Sequence, residues 1–588
     1  MDYSHVSTLK DLYKGSMATA EDWYQTANQF YDNQKYEEAI ECYEQALQIK
    51  PDFIDASISI GFVLGYLKRY SDALALFDQI LDVHSNNYLA HFGRGQTLRY
   101  LKRPTEAVLA YNQAIKNQPS NPAPWIHRGL ALETLGLYAD AIASYDQALQ
   151  LNRDDYYTWW LRGISLEYLR QGEAAIISYD QSIALKPDFH EAWHSRAGAL
   201  WNLQRYEEAI LDYDEAIKCN PNYWESWYSR GSLLLNLKEY QGAIESYNQA
   251  IHIQPNFPET WKNRGDALFE LQRHQDALTS YQRAIEIKPD YAEAWHKCGL
   301  VLMELKLYQE SLTAFQKSVE INPNLPGSWF GCAYILQELR RDEETLTACD
   351  NVIALQPDFD KVWHIRGSAL GNLKRYEEAL VSYEQAIRLE PNQASLWNLH
   401  GLVLYYLQRD QEALISYDRA IELYEDYSDA WKNRAFSLYY LQKYEDSISS
   451  CDRAISLGQG DNYLMWFYRG AALFELNRNE EALISLNRSI QLKADYPNTL
   501  YYRGRVLHAL KRYTEAVSSF DQALRLDSVF VLAWLWCGNS LSELKRIDDA
   551  IYAYDRAIKL DPNCHAAWLG RSNIARGLEQ HKQAVLCH

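Results

Sequence analysis

The sequence lacks most of what chemistry on small substrates requires. It has no G-x-x-x-x-G-K-[ST], no G-x-G-x-x-G and no G-x-S-x-G, so the phosphate cradle, the dinucleotide fingerprint and the hydrolase elbow are all missing. Its nine cysteines form no C-x-x-C pair and their number is odd, which reads as reduced thiols in a reducing compartment. The N-terminus, MDYSHVSTLKDLYKGSMATA, has no apolar core of a signal peptide, and no run reaches membrane-spanning length. A cytoplasmic protein is expected. Positive charge is short as well: 58 Lys+Arg face 78 Asp+Glu, a formal charge of -20 that repels phosphate backbones and anionic lipid. Methionine is scarce at 4, whereas tyrosine (45) and tryptophan (18) are plentiful. At 588 residues the chain is too long for one compact core, so several domains or an array of repeats is expected.

Comparing the sequence with itself decides between these. Trp125, Trp159, Trp193, Trp227, Trp261, Trp295, Trp329, Trp363, Trp397 and Trp431 recur every 34 residues. Four residues after each stands Gly or Ala, as in Gly129, Gly163 and Ala197. Alanine follows twelve later in most units (Ala141, Ala175, Ala209), an aromatic four after that (Tyr145, Tyr179, Tyr213), then Ala or Ser, and often a closing proline such as Pro187, Pro221 or Pro255. Spacings of three and four place these residues on one helical face. Small residues let two antiparallel helices approach while Trp and Tyr fill the space beside them, and proline stops the second helix. One such hairpin cannot cover its own apolar face, so neighbours must stack.

These residues resemble the tetratricopeptide repeat, whose 34-residue signature has Trp, Gly, Tyr, Ala, Phe/Tyr, Ala and Pro at these offsets; the consensus is similar to bacterial arrays. After an N-terminal extension, 1–19, the units run 20–53, 54–87, 88–121 and so on to 394–427. Then come 428–462, one residue longer, 463–496, 497–530, 531–564 and a partial 565–588. The resemblance implies an all-α, right-handed α-solenoid of about sixteen hairpins, with a concave groove lined by first helices. In the long unit LGQGDN, residues 457–462, has glycines where others have proline, and four consecutive units close on Glu425, Gln459, Ala494 and Ser528 instead. A hinge is expected there.

One stretch competes with this reading. His190-Glu191-Ala192-Trp193-His194 spells H-E-x-x-H, the spacing of two zinc ligands and a general base on one helical face. In the repeat frame, however, Trp193 is the packing tryptophan at position 4 and Glu191 an acid at a helix start, as Glu225, Glu259 and Glu293 are. The units at 292 and 360 write AEAWHK and DKVWHI in the same place, so only His190 is additional. No catalytic residue, metal or cofactor is assigned, and the chain is read as no enzyme. Position 7 is arginine in eleven units, among them Arg94, Arg128, Arg162 and Arg196, and position 25 is often acidic (Asp146, Asp180, Asp214). We read these as a ladder of structural ion pairs rather than a stripe for anions.

Function is then expected where the units differ, at positions 2, 5, 9, 12 and 13 of the first helix. The candidates are Trp160, Tyr168, His194, Trp201, Phe269, Glu270, Glu304, Glu338, Tyr405, Tyr406, Tyr439 and Tyr440. Glu270, Glu304 and Glu338 form an acidic strip suited to basic segments, and the four tyrosines an aromatic patch of the kind favoured for anchors. The family's clamp for acidic C-termini is not reproduced, because Lys262 is followed by Asp266 and Lys432 by Phe436. The reading is a scaffold for protein or peptide partners, basic or apolar, with no nucleic acid and no membrane. Alternatives are a regulatory or assembly part of a larger kinase-, transferase- or protease-linked protein, an RNA-binding helical repeat, and a zinc hydrolase. Self-association through the uncapped C-terminal end is a further expectation.

Overall fold

The computed structural model describes residues 19–586. Among them every regular element is a helix, and the chain divides into two compact units between Pro289 and Asp290. In the first unit eight first helices, Ala20–Asp32 to Pro258–Glu270, alternate with eight second helices, Tyr36–Ile49 to His274–Ile287. The second unit repeats the plan from Ala292–Glu304 and Tyr308–Ile321 to Val531–Glu543 and Ile547–Leu560, and adds one further helix, His565–Leu586.

Each first helix stops on the same device. In Trp224–Asn236 the chain turns at Lys238, whose φ is 63°; the Lys238 N–H donates to the Leu235 carbonyl (3.0 Å) and the Glu239 N–H to that of Leu234 (2.8 Å). These bonds satisfy the last carbonyls of the helix. Fifteen units place Lys, Gln, Arg or Asn in this left-handed conformation and one places Gly136 there. A side chain there costs on the order of 1 kcal/mol, so the turn is held by the bonds and the packing around it rather than by residue preference.

The helices of a hairpin meet where the small residue at position 8 faces the aromatic at position 24. A Cβ built on Gly163 would lie 2.3 Å from the Tyr179 ring, and one on Gly401 2.6 Å from that of Tyr417. In two units both partners change together: Ala333 comes with Cys349 and Ala435 with Cys451, all four buried. A larger first residue with a smaller second one keeps the volume nearly constant, the kind of exchange a dense core tolerates.

Successive hairpins are fastened by two recurrent contacts. The position-4 indole donates to the carbonyl six residues earlier, in the preceding turn: Trp193 to Pro187 (2.9 Å), Trp227 to Pro221 (3.0 Å), Trp397 to Pro391 (2.8 Å). The same bond forms where proline is missing, from Trp431 to Glu425 (2.8 Å) and from Trp466 to Gly460 (2.8 Å). The second contact is the arginine. Arg162 donates from Nε to Asp146 of the preceding hairpin (2.7 Å) and from Nη1 to Ser178 of its own second helix (2.7 Å). Arg434 does so with Asp418 and Ser450, and Arg469 with Asp452 and Ser485. The arginines therefore lie inside the stack, paired across it.

Two segments depart from the regular plan. The long turn carries a 3₁₀ turn, Gln459–Asp461, after Gly458 at φ 102°. Its bonds are those of the Trp466 indole on the Gly460 carbonyl, of Asn462 accepting from the Leu464 N–H (3.1 Å), and of the Gln459 amide on the Ser428 hydroxyl (3.3 Å). The last segment is one continuous helix, where the frame places a turn between two. Its sequence there, Leu578-Glu579-Gln580-His581, has histidine at the position that is tyrosine in most other units. The extension 1–19 lies outside the described residues except for Thr19, which caps the first helix through its hydroxyl (3.3 Å from the Asp22 N–H).

Arg196 offers the clearest test of the seam. It binds Asp180 of the preceding hairpin and holds Asp212 of its own with two bonds (2.6 and 2.7 Å). Asp212 is buried, and burial pushes its carboxyl above the usual range while Arg196 pulls it back. Arg196→Leu leaves a buried carboxylate unpaired and is expected to cost roughly 3 kcal/mol at pH 7. A carboxyl raised in the folded state stabilises that state as it takes up its proton, so the deficit should shrink as the pH falls toward 5. Urea unfolding of both proteins at the two pH values checks this.

Candidate protein-binding face

Within each unit, successive first helices approach one another, as Ile54–Tyr66 does Tyr88–Tyr100 and Ser428–Tyr440 does Tyr463–Glu475. Among the described residues no two successive second helices come as close. Each stack therefore bends toward its first helices, whose positions 5, 6, 9, 12 and 13 make the inner face.

On the first unit this face is lined by large rings and by neutral and charged polar groups. Trp160 is half-buried, its indole donating to Ser195 of the next hairpin (3.0 Å) and its ring set against Phe189. Trp201 packs on the core beneath it, and Phe269 lies edge-on to His274 (5.5 Å). Tyr168 is 64% exposed but stacked flat on Tyr138 of the preceding turn, with ring centres 4.5 Å apart. Tyr406 stacks on Tyr376 in the same way, at 5.1 Å. These two candidates cover a neighbouring turn as well as meeting solvent, a role their position number alone does not disclose. Glu270, in the first unit, and Glu304 and Glu338, in the second, are exposed. Lys262 pairs with Asp266 (3.0 Å) and Lys432 with Asp429, so neither lysine offers the family's anion clamp.

The histidines of the H-E-x-x-H stretch serve the repeat. His190 contacts Glu191 through Nδ1 (3.0 Å) and the Asn220 amide through Nε2 (3.0 Å). His194 instead bonds through Nδ1 to the Ser226 hydroxyl (3.0 Å), with its ring between Tyr213 and Tyr223. Among the described residues no three His, Cys, Asp or Glu gather as metal ligands. Both rings are thus engaged in contacts within and between hairpins.

The second unit holds the largest aromatic gathering. Tyr405 touches Tyr440 (6.0 Å between ring centres), and the Tyr440 and Tyr468 hydroxyls bond at 3.1 Å. Tyr439 packs edge-on against Tyr468 (5.2 Å) and shares a hydroxyl bond with Tyr502 (2.9 Å), 63 residues further on. Phe436 lies 4.6 Å from Tyr468, and Arg505 lies over Phe474 (4.6 Å) and Tyr502 (5.5 Å) while pairing with Glu475 (3.7 Å). Burial, and then their bonded partners, push the Tyr439 and Tyr468 hydroxyls upward, so they stay protonated and act as both donor and acceptor. The sequence pointed to Tyr405, Tyr439 and Tyr440 but missed Tyr468, Tyr502 and Arg505, which stand at positions 6 and 9. Aromatics at position 6 in adjacent units were the signal available.

Histidine at positions 5 to 7 is the face's titratable component. Burial draws His127, His194, His296 and His400 down to about 4. In the unfolded chain they titrate near 6.5. Between about 6.5 and 4 the unfolded chain binds protons that the folded chain does not, so stability is expected to fall as the pH drops through that window. A denaturant midpoint lower at pH 5 than at pH 7, with these imidazoles still neutral at pH 5 by NMR, is the expected outcome.

Family models match along most of the length. Those described as tetratricopeptide repeat match residues 63–122, 94–156, 126–188, 160–223, 194–258 and 433–497, with others at 292–325, 361–393, 394–427, 497–528 and 531–564; one described as TPR repeat matches 27–65 and 265–306. No curated protein matches the chain. Among solved structures it is similar to YrrB, "a TPR protein with an unusual peptide-binding site" (20% identity, 32% of this chain and 97% of that one, TM-score 0.30). It is also similar to the APC/C hetero-tetramer Cut9-Hcn1 (14%, 92% and 99%, 0.34) and to Naa15/Naa10 bound to HypK-THB (12%, 96% and 97%, 0.32). The models and the residues that carry them agree unit by unit, and the chain belongs to the tetratricopeptide repeat family.

Proposed function

We propose that the protein is an interaction scaffold, holding polypeptide partners across its first helices and doing no chemistry on them. The observation that carries this is the tyrosine cluster of the second unit. Six half-exposed rings from four first helices, Tyr405, Tyr439, Tyr440, Tyr468, Phe474 and Tyr502, converge on one face, with hydroxyls bonded in two pairs, Tyr439 with Tyr502 and Tyr440 with Tyr468. A rigid surface of this composition supplies contact area at low entropic cost and suits apolar or aromatic segments. Glu304 and Glu338 add exposed acidic groups in the same unit, and Glu270 one in the first unit, complementary to Lys or Arg of a partner. The buried thiols favour a reducing, cytoplasmic setting: burial pushes Cys298 to about 11 and Cys332, Cys349, Cys451 and Cys537 to about 12, out of reach of easy oxidation. No helix among the described residues is long and apolar enough to cross a membrane.

Affinity capture from the source cell tests the reading. Tyr440→Ala/Tyr468→Ala should lower the yield of captured partners by about tenfold or more, the usual effect of losing an aromatic anchor. Glu304→Lys/Glu338→Lys should remove basic partners and leave apolar ones. Unchanged capture by both variants, each melting within a few degrees of the wild type, would overturn the assignment of this face.

A further inference from the structure

The first unit has a cavity that the repeat does not require. It measures about 360 Å³ and is lined by Phe62, Gly65, Tyr66, Gln96, Arg99 and His127, among others. Its cause is at position 12 of the first helix. Most other units carry a side chain there, among them Trp201, Phe269, Tyr405, Tyr439 and Phe474, whereas the units at 54 and 360 have Gly65 and Gly371. A Cβ built there meets no atom within 4 Å. The next unit places Arg99 at the same position, so a side-chain-free position and a guanidinium border one hollow.

Arg99 is unlike the arginines of the seam. Those are paired with Asp, Asn or Ser, whereas among the described residues Arg99 has no ion pair; its Nε is buried without a hydrogen-bond partner, as is that of Arg128, which keeps Ser144 through Nη1. The nearest acid on the same row, Glu133, is turned away and accepts from the Ser165 hydroxyl (2.6 Å). Around the hollow stand Lys68 and otherwise neutral groups. The His127 Nδ1 and the Tyr111 hydroxyl are buried without partners, and Gln96 reaches only His127, at 3.5 Å. In other units the position-24 tyrosine hydroxyl donates to position 9, as Tyr43 does to Asn28 (2.6 Å) and Tyr554 to Asn539 (2.8 Å). Here position 9 is Gln96, turned toward His127, and the tyrosine is left over. A buried donor without an acceptor costs on the order of 1–3 kcal/mol, and two such atoms on lining residues of one hollow, Arg99 Nε and His127 Nδ1, describe a site suited to an acceptor.

We infer that this hollow binds a carboxylate, the side chain of an acidic residue in a bound polypeptide, seated on Arg99 between Tyr66 and His127. The inference rests on the scaffold reading and gives its first unit a ligand class opposite in charge to that favoured by the glutamates. Carboxylate matches the site because a guanidinium presents a planar fork to two oxygens. The volume is at the small end of the range for ligand pockets, room for one side chain rather than a large cofactor. A chain of charge -20 also disfavours a densely anionic ligand, so a single acidic group is the better fit.

The test uses the full chain labelled with ¹⁵N-arginine, the Arg99 Nε–H signal being assigned by its loss in Arg99→Lys. The probes are N-acetyl-glutamate α-amide, the corresponding glutamine compound and inorganic phosphate. The glutamate probe should move the Arg99 signal in a saturable way, with a Kd of about 1 mM as befits a fragment of this size, and the glutamine compound should leave it in place. Gly65→Phe, which writes the residue found at this position in two other units, should abolish the shift without lowering the melting temperature. Arg99→Gln should remove the thermal stabilisation that the glutamate probe gives the wild type. An unmoved signal, an equal response to the glutamine compound, a response to phosphate alone, or a shift surviving Gly65→Phe would each overturn the inference. Because these probes are small molecules and the capture experiment reads the second unit, failure of this site and failure of the scaffold reading are distinguishable.

Discussion

On the first helix of seven hairpins among the described residues an arginine reaches back to a carboxylate or amide of the hairpin before and across to a serine of its own second helix, and in six of them a tryptophan three residues earlier binds the carbonyl of the turn between them. Arg162 with Asp146 and Ser178, beside Trp159 on Arg153, shows both. Each ion pair is partly screened by solvent and contributes about 1 kcal/mol at most. Their importance is geometric. Ridges and grooves of apolar side chains permit several helix–helix alignments, whereas a guanidinium between two fixed acceptors and an indole N–H aimed at one carbonyl permit one. The rotation and rise from one hairpin to the next are thereby set at each seam.

That fixed seam leaves the rest of the first helix free to vary. Positions 3, 8, 10 and 11 are buried against the second helix and the neighbouring hairpins, and are small or aliphatic in most units. Positions 5, 6, 9, 12 and 13 carry no such duty, and on them the two units have become different surfaces. The second unit gathers tyrosines; the first alternates Trp, Glu and Gly and leaves one arginine unmatched. Tyrosine suits such a face because its ring can be half-buried among neighbours while its hydroxyl is satisfied at the surface, as in the bond between Tyr439 and Tyr502.

Much of this was legible in the sequence. The period, the hairpins, the meeting of Gly with aromatic, and the structural character of the arginines all follow from residues recurring at fixed offsets, because each offset has the same neighbours in every unit. What the sequence did not disclose lies across units. Tyr439 at position 12 meets Tyr468 and Tyr502 at position 6 of the next two hairpins, a diagonal that a comparison of like with like overlooks. Tyr168 and Tyr406 belong to stacks with the preceding turn, which require knowing how far one hairpin lies over another. The hollow beside Arg99 depends on an absence at Gly65, and the turn at 457–462 carries hydrogen bonds of its own where other units have proline, neither visible as a pattern. The tryptophan bond could have been anticipated: indole and turn carbonyl are always six residues apart.

The central claim is that partners lie on the first helices and not on the outer surface of the second. The second helices also expose apolar side chains, Ile415 and Ile484 being 66% and 67% exposed, so composition alone does not separate the two faces. Photo-crosslinking does. With p-benzoylphenylalanine placed singly at Tyr440, Tyr468, Ile415 and Ile484 and irradiated in the source cell, the expected result is covalent partner adducts from the two first-helix positions and none from the second-helix pair. Adducts confined to Ile415 and Ile484 would contradict it.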